Sequence, residues 1–228
     1  MLALFFATAK EFCAALPGFE APAQGHWRQT IIAGKSVLVA VTGVGPVNAA
    51  LCLGRMLGVE RPTGILNLGV AGSFDLALHP LGSMLIANTE TWPEYGLRTE
   101  QGIDPKGIGF PLASTPQGPI HDCIPLTPTN AAQAMGLHLP SDWPLGASLT
   151  VSAATGTENH ARNLQQRYQP AMENMEGFAL ALGCLHADLP FLEARSISNV
   201  VGSRDKDHWD LAGALATLAT AISELFEA

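Results

Sequence analysis

Two carboxylates in the last third of the chain have the types and spacing that a sugar-binding site needs. Glu173 and Glu176 stand three residues apart around Met175, directly before an apolar stretch of helical length. An ionised carboxylate has two oxygens with several lone pairs, so Glu176 could accept hydrogen bonds from both hydroxyls of a cis-diol. Met175 would supply a soft apolar floor for the sugar. The alternative is that the carboxylates only cap a helix, whose dipole favours negative charge at that end.

A second group of chemistry-bearing residues closes an apolar strand further along the chain. The strand, residues 191–197, contains Arg195 and is followed by Ser198 and Asn199. An arginine within such a strand is costly to bury unless it is paired. Two interpretations of Arg195 remain open, a structural salt bridge with one of the two glutamates, Glu173 or Glu176, and a catalytic role.

Two glycine-rich turns follow apolar runs nearer the N-terminus, at residues 42–45 and 69–72. Glycine lets the backbone approach a ligand at the carboxyl ends of strands, so we place Gly72 in the binding site. Tight strand-to-helix turns also need glycine for steric reasons alone. Neither turn matches G-x-x-x-x-G-K-[ST], and residues 43–48 depart from G-x-G-x-x-G, so both phosphate-binding fingerprints are excluded.

The composition indicates a globular protein and limits its partners. At 228 residues, with 47% hydrophobic and 14% charged residues, the chain is too apolar to be disordered, and we expect one domain over residues 1–228. The formal net charge of −8 argues against nucleic acid and anionic membranes as partners. Cysteines and histidines are scattered without metal-ligand spacing, so we predict no metal and a cytoplasmic protein with reduced thiols. The apolar start, residues 1–9, lacks the basic segment of a signal peptide and favours a buried first strand.

The order of apolar runs and Ala/Leu-rich segments predicts an α/β fold. Apolar runs without alternation are typical of strands covered on both faces, so we predict a largely parallel or mixed sheet. The predicted strands are residues 2–7, 36–41, 64–68, 83–87, 147–152 and 191–197. The predicted helices are residues 46–57, 158–168, 177–186 and 209–226, with a short one that Thr127 can cap.

Residues 90–146 interrupt this order. Nine of the 16 prolines fall within residues 93–144, where apolar periodicity is weak. The segment is too apolar for a linker and has no run of charge. Long loops in compact domains are often functional, so we interpret the segment as an excursion that forms the rim of the site or a subunit contact.

Four motifs in the same order resemble the purine nucleoside phosphorylase and nucleosidase superfamily. Residues 42–50 resemble its T-G-[IV]-G-x-[VI]-N-A-A segment, and residues 67–73 resemble its N-x-G-x-A-G-[GS] segment. Residues 173–177 match E-x-M-E-G, and residues 195–199 match R-x-I-S-[D/N]. The resemblance covers nearly the whole chain and is weakest over residues 90–145. It implies a three-layer α/β/α nucleoside phosphorylase-like fold around a central mixed, largely parallel twisted sheet.

The resemblance also implies roles for the candidate residues. In the superfamily, the residue matching Glu176 grips the ribose hydroxyls and the residue matching Met175 packs on the sugar. The residue matching Arg195 helps to hold the attacking water, while the residue matching Ser198 supports the base-reading side chain, here Asn199. No cofactor is implied. The expected partner is a small purine nucleoside, bound by a homo-oligomer of two or more subunits.

Glu11 is the candidate general base. A lone glutamate that opens a helix is usually solvated, but nucleosidases of this superfamily carry a water-activating glutamate at the end of the first strand. Phosphorylases of the superfamily instead bind phosphate with arginines near this first loop. The first 27 residues contain no arginine, which favours water over phosphate as the nucleophile.

The identity of Asn199 bears on the base that is bound. Its amide NH₂ can donate to O6 of a 6-oxopurine while its carbonyl accepts from N7–H of the leaving base. A mismatched contact costs about 1–3 kcal/mol, or roughly ten- to a hundredfold in discrimination. We therefore predict a hydrolase that releases hypoxanthine or guanine. A purine nucleoside phosphorylase, a methylthioadenosine-type nucleosidase and an inactive nucleoside-binding protein remain alternatives.

Two further features concern the rest of the substrate. Arg204, Lys206 or His208 could meet a carboxylate on the ribose side. No aromatic residue occurs at positions 153–157, where methylthioadenosine nucleosidases of this superfamily keep a base-stacking phenylalanine. The residue that stacks on the base is therefore left open.

Overall fold

The computed structural model describes residues 1–203, 205 and 208–227, which form thirteen strands and six helices. The strands are β1 (Leu2–Phe6), β2 (His26–Ile32), β3 (Lys35–Val41), β4 (Ile65–Ser73), β5 (Met84–Thr91), β6 (Leu97–Thr99), β7 (Gly102–Asp104), β8 (Ala113–Thr115), β9 (Gly118–Ile120), β10 (Cys123–Pro125), β11 (Leu145–Thr150), β12 (Met172–Asn174) and β13 (Phe191–Val200). The helices are α1 (Ala9–Ala15), α2 (Pro46–Leu57), α3 (Pro128–Met135), α4 (Glu158–Tyr168), α5 (Gly177–Ala187) and α6 (Leu211–Phe226).

Nine strands form one mixed sheet. Its order is β10-β5-β11-β12-β4-β1-β3-β2, and β13 joins it by pairing with both β4 and β5. Parallel pairs are β1–β3, β1–β4, β11–β12, β11–β5 and β13–β4. Antiparallel pairs are β10–β5, β12–β4, β13–β5 and β2–β3. The predicted α/β fold with a mixed sheet is confirmed.

Part of this sheet closes on itself. Strands β5, β11, β12, β4 and β13 pair in a circuit, because β13 connects β4 back to β5. We call this circuit the five-strand ring. Strands β1, β3 and β2 extend from it as an open sheet on the far side of β4.

Helices cover both faces of the sheet at β1, which explains why this strand is apolar throughout. Leu4 and Phe6 of β1 lie in a core with α1, α3 and α6, whereas Phe5 lies in a second core with α2 and α5. Successive side chains of a strand point to opposite faces, so both faces of β1 need apolar residues. No helix among the described residues has the length and apolarity that a membrane crossing requires.

Several predictions about elements need correction. The excursion holds two hairpins, β6–β7 and β8–β9, and an edge strand, β10, where the sequence indicated only one short helix. These strands have three residues each, too few to show a period. Thr127 precedes α3, but its side chain makes no capping hydrogen bond. The last helix begins at Leu211 rather than at Trp209, because the Asp210 side chain caps it by accepting from the Gly213 N–H at 2.8 Å.

Candidate active site

A cavity of about 290 Å³ opens at the carboxyl ends of β1, β4 and β13. These three strands run parallel, so residues that follow them meet at one edge of the sheet. Six of the seven residues predicted for the site line the cavity, namely Glu11, Gly72, Met175, Glu176, Ser198 and Asn199. The seventh, Arg195, lies behind this lining and is 1% exposed.

Glu11 is fixed in the first turn of α1 and is buried. The Thr8 N–H and hydroxyl each donate to Glu11 Oε2 at 2.8 Å, and the Glu11 N–H donates to Thr8 Oγ1 at 3.2 Å. This reciprocal capping box starts the helix immediately after β1. The Val70 N–H donates to Glu11 Oε1 at 3.0 Å, which ties the carboxylate to the end of β4. The side chain is therefore oriented by both strands rather than solvated.

Glu176 is the last residue before α5, and its carboxylate does not cap that helix. Glu176 Oε1 accepts from the Gly45 N–H at 3.0 Å, and Oε2 accepts from Arg195 Nη2 at 3.4 Å. Burial raises the pKa of Glu176, while Arg195 and the Gly45 N–H oppose the rise. One donor on each oxygen leaves lone pairs available for a diol in the cavity.

The start of α5 is satisfied by other side chains. The Glu176 and Gly177 N–H groups donate to Asn174 Oδ1 at 2.8 and 2.7 Å, and the Phe178 N–H donates to Thr150 Oγ1 at 2.7 Å. The interpretation of the two glutamates as helix caps has no support from these contacts. Glu173 is turned elsewhere, because its oxygens accept from the N–H and hydroxyl of Thr155 at 2.9 and 2.6 Å.

Arg195 is held by carboxylates from its own strand and from the site. Arg195 Nε donates to Glu193 Oε1 at 2.8 Å, and the guanidinium forms its other salt bridge with Glu176. Burial alone would lower the pKa of Arg195, but the charges of Glu193, Glu176 and Glu11 raise it above its usual value. Of the two glutamates considered as partners from the sequence, Glu176 is the one paired. A Cβ on Gly69 would lie 2.6 Å from Glu11 Oε1 and 2.7 Å from Arg195 Nη1, so this glycine allows the two side chains to approach.

Asn199 owes its position to an irregularity in β13. The pairing of β13 with β4 shifts register between Ile197 and Asn199, as in a β-bulge. The Ser198 hydroxyl donates to Asn199 Oδ1 at 2.8 Å, and Asn199 Nδ2 donates to the Val200 carbonyl at 3.1 Å. A Cβ on Gly72 would lie 2.9 Å from Asn199 Nδ2, so glycine makes room for the amide.

Other lining residues were not assigned from the sequence. They include Thr8, Val44, Thr155, Glu173, Trp209, Leu211 and Leu215. Trp209 forms an isolated antiparallel bridge with Asn199 and also lines the cavity. In the sequence, Trp209 follows the R-x-I-S-[D/N] motif, but this spacing does not show whether its indole faces the site. Within the described residues no cluster of three or more His, Cys, Asp or Glu could hold a metal ion.

Three residues were predicted to contact a carboxylate on the ribose side of the substrate, namely Arg204, Lys206 or His208. Arg204 and Lys206 lie outside the described residues. His208 is exposed, and its Nδ1 lies 2.8 Å from Ser203 Oγ. Ser203 itself lines the cavity, so His208 is one contact removed from it.

The mixed sheet with this cavity at its carboxyl edge defines a protein of the nucleoside phosphorylase-like α/β class. The chain belongs to the phosphorylase superfamily, whose family model matches residues 4–228. The resemblance stated from the four motifs is confirmed.

Two relatives and one solved structure are similar to most of the chain. Futalosine hydrolase of Thermus thermophilus is 32% identical over 200 residues, with 87% of this chain and 84% of the relative covered. Futalosine hydrolase of Streptomyces coelicolor is 32% identical over 227 residues, with 96% and 89% covered. The crystal structure of 5'-methylthioadenosine/S-adenosylhomocysteine nucleosidase from Helicobacter pylori with butyl-thio-DADMe-Immucillin-A has a TM-score of 0.76 at 19% identity and covers 97% of this chain and 95% of that one. This last likeness shows the fold.

Proposed function

We propose that this protein is a hydrolase that cleaves the N-glycosidic bond of a 6-oxopurine nucleoside. The substrate we propose is futalosine, which with water gives hypoxanthine and dehypoxanthine futalosine in menaquinone biosynthesis. The observation that carries the proposal is the amide of Asn199 in one cavity with the carboxylates of Glu11 and Glu176. Similarity to two futalosine hydrolases over most of the chain supports the same substrate.

In the proposed mechanism the bond to the base breaks before the water attacks. Positive charge then develops on the ribose, and Glu176 stabilises it through the diol, since a carboxylate in a dry site interacts strongly with such charge. N7 of the departing base takes a proton from solvent, and Glu11 later returns to solvent the proton that it takes from the attacking water. Asn199 stabilises the departing base by donating to O6 and accepting from N7–H. Glu11 takes a proton from the water, and both its oxygens are already oriented by Thr8 and Val70. Arg195, beside Glu11 across Gly69, assists in holding the water.

The charges that line the cavity favour water over phosphate as the nucleophile. Among the described lining residues Lys10 is the one with a full positive charge, while Glu11, Glu173 and Glu176 are acidic. A phosphorylase needs positive charge to hold phosphate next to the sugar. The lack of arginine in the first 27 residues agrees with this argument.

Base release from three nucleosides, with and without phosphate, tests the proposal. Futalosine, inosine and 5'-methylthioadenosine are incubated with the protein, and released base is separated and quantified. We expect the fastest release from futalosine, with no dependence on phosphate. A phosphate requirement would identify a phosphorylase, and preference for methylthioadenosine would identify a nucleosidase for 6-aminopurines. Binding of a nucleoside without release from any of the three would identify an inactive binding protein.

The proposal extends to the setting of the enzyme. We propose a cytoplasmic homo-oligomer, since Cys13, Cys52, Cys123 and Cys184 are free thiols and apolar side chains of α2 are exposed beside the cavity rim. Val47 and Leu51 of that helix are 70% and 61% exposed. Light scattering on the purified protein gives the number of subunits, and cell fractionation gives the compartment.

Futalosine carries a benzoate on its ribose side. The proposed contact for this benzoate is Arg204, Lys206 or His208.

A further inference from the structure

Buried polar side chains lie in the interior of the five-strand ring. Each strand contributes at least one buried polar side chain: Asn67 of β4, Glu90 of β5, Thr150 of β11, Asn174 of β12 and Glu193 of β13. Of these, Asn174 alone reaches the cavity lining. Burying polar groups in this number is costly unless hydrogen bonds satisfy them, so the arrangement calls for a physical reason.

Asn174 connects the ring interior to the site. Its Nδ2 donates to Glu90 Oε1 at 2.7 Å and to Ser148 Oγ at 2.8 Å. Its Oδ1 accepts from the Glu176 and Gly177 N–H groups and from Arg195 Nη2 at 3.3 Å. The amide therefore has a fixed orientation, with its donor side on Glu90 and its acceptor side on the turn that carries Glu176.

Glu193 connects the ring interior to the guanidinium. Its Oε1 accepts from Arg195 Nε at 2.8 Å and from Asn67 Nδ2 at 3.2 Å. Its other oxygen, Oε2, is fully buried and has no donor among the described groups. An ionised oxygen left in this way costs free energy, so a proton on a neighbouring group is expected to satisfy it.

The neighbouring group is Glu90. A Cβ on Gly177 would overlap both Glu90 Oε1 and Glu193 Oε2, so the two carboxyl groups meet beneath this glycine. Burial first, then the charge of Glu193 and a hydrogen bond with it, hold the pKa of Glu90 well above its usual range. A proton on Glu90 can be donated to Glu193 Oε2, while Glu90 still accepts from Asn174 and from the Thr150 hydroxyl at 2.6 Å.

We propose that Glu90 and Glu193 share one proton, carried by Glu90, and that this pair positions the catalytic groups. Glu90 acts through Asn174 on the turn that presents Glu176, and Glu193 acts directly on Arg195. Both are positioning residues, because neither lines the cavity and neither contacts substrate or water in the proposed mechanism. The kinetic part of this inference rests on the proposed function, whereas the location of the proton does not.

Two matched substitutions test the pair. Glu90→Gln replaces a protonated acid by an amide of the same shape, which keeps a donor for Glu193 and an acceptor for the Thr150 hydroxyl, while Asn174 Nδ2 keeps Ser148 Oγ as its acceptor. We expect its kcat to stay within about threefold of wild type. Glu193→Gln removes the charge that holds Arg195 Nε, and we expect kcat to fall by about a hundredfold or more with little change in KM.

Every other pattern overturns the proposal. A severe loss in Glu90→Gln with a mild one in Glu193→Gln would put the proton on Glu193. Mild losses in both, or a lower Tm in Glu193→Gln at unchanged kcat, would mean that the pair is structural only. Severe losses in both would mean that Glu90 is needed as an anion.

A spectroscopic measurement keeps the test valid if Glu193→Gln does not fold or if the proposed substrate is wrong. Infrared difference spectra of protein with ¹³C-labelled glutamate carboxyl groups report protonated carboxyls through their C=O stretch. We expect a protonated band at neutral pH in the wild type that is missing in Glu90→Gln. Absence of the band from the wild type, or its persistence in Glu90→Gln, would overturn the location of the proton whatever the enzyme cleaves.

Discussion

Asn199 is the residue whose chemistry can be exchanged with the least change in shape. Its amide sits beside Gly72 at the β13 bulge, and Ser198 fixes one side of it. An aspartate there keeps the size but replaces a donor by an acceptor. Recognition of position 6 of the purine should therefore change at nearly constant side-chain volume, and the hydrogen bond from Nδ2 to the Val200 carbonyl is lost for both substrates alike.

Asn199→Asp should lower kcat/KM for the 6-oxopurine nucleoside by about tenfold or more, because the contact to O6 is lost or becomes repulsive. The 6-amino analogue of the same nucleoside should lose less or gain, since an aspartate can accept from the 6-amino group. The measurement is the ratio of the two kcat/KM values, in which a general loss of stability cancels. An unchanged ratio would show that Asn199 does not contact position 6.

Glu176→Gln should lower kcat/KM by at least about a hundredfold, or roughly 3 kcal/mol, because the charge opposite the developing positive ribose is removed. The amide can still accept from the Gly45 N–H, so the turn before α5 should persist. Steady-state kinetics measure the loss of activity, and circular dichroism on the same preparation shows whether the fold is retained. Turnover close to wild type would remove Glu176 from the proposed mechanism.

Most residues that line the site could be predicted from the sequence, but the buried residues that lie behind this lining could not. Glu11, Glu176 and Asn199 stand in recognisable motifs and line one cavity. Glu90 of β5 and Glu193 of β13 are 103 positions apart in the sequence, and their contact depends on the pairing of β13 with β5. Local patterns carry no information on such a pairing, so the buried carboxyl pair could not be predicted.

At the scale of the elements, the N-terminus of helix α5 depends on contacts with buried side chains of other strands. Its first residue, Gly177, lies against the carboxyl pair, and the Glu176 and Gly177 N–H groups are taken by Asn174. The sequence predicts this helix within one residue of its observed ends, because its apolar run is long. It does not predict β12, whose three residues lie between β11 and β4 and are recognisable only from those partners.

Gly177→Ala should destabilise the protein by about 1–3 kcal/mol, because the added methyl overlaps Glu90 and Glu193 and forces them apart. Gly54→Ala in α2 is the matched control, since a Cβ there meets nothing within 4 Å. That change should be neutral or stabilising by up to about 1 kcal/mol, as alanine favours a helix interior. Chemical denaturation of both variants gives the two free energies. Equal effects would show that the space beneath Gly177 is not filled as described.

For the whole molecule, the buried acid should make stability depend on pH. A carboxyl whose pKa is raised on folding binds its proton more tightly in the native state, so stability falls as pH rises above its unfolded value of about 4.3. Glu90→Gln removes this dependence and leaves the other carboxylates in place. The Tm of Glu90→Gln relative to wild type should therefore be higher at about pH 8 than at about pH 5. A pH-independent difference would contradict a raised pKa of Glu90.

The strand pairing of the five-strand ring also determines the order in which its parts can fold. Its last member, β13, comes from residues 191–200, yet it must pair with β4 and β5, which were synthesised more than a hundred positions earlier. Until then the edges of β4 and β5 that pair with β13 stay open, and Glu193, the partner of Asn67 and of Glu90, is not yet present. Contacts so distant in sequence form slowly, because long loops must close first. During synthesis the first 200 residues must therefore be made before the polar interior can be satisfied, and until then buried carboxyl and amide groups remain without all of their partners.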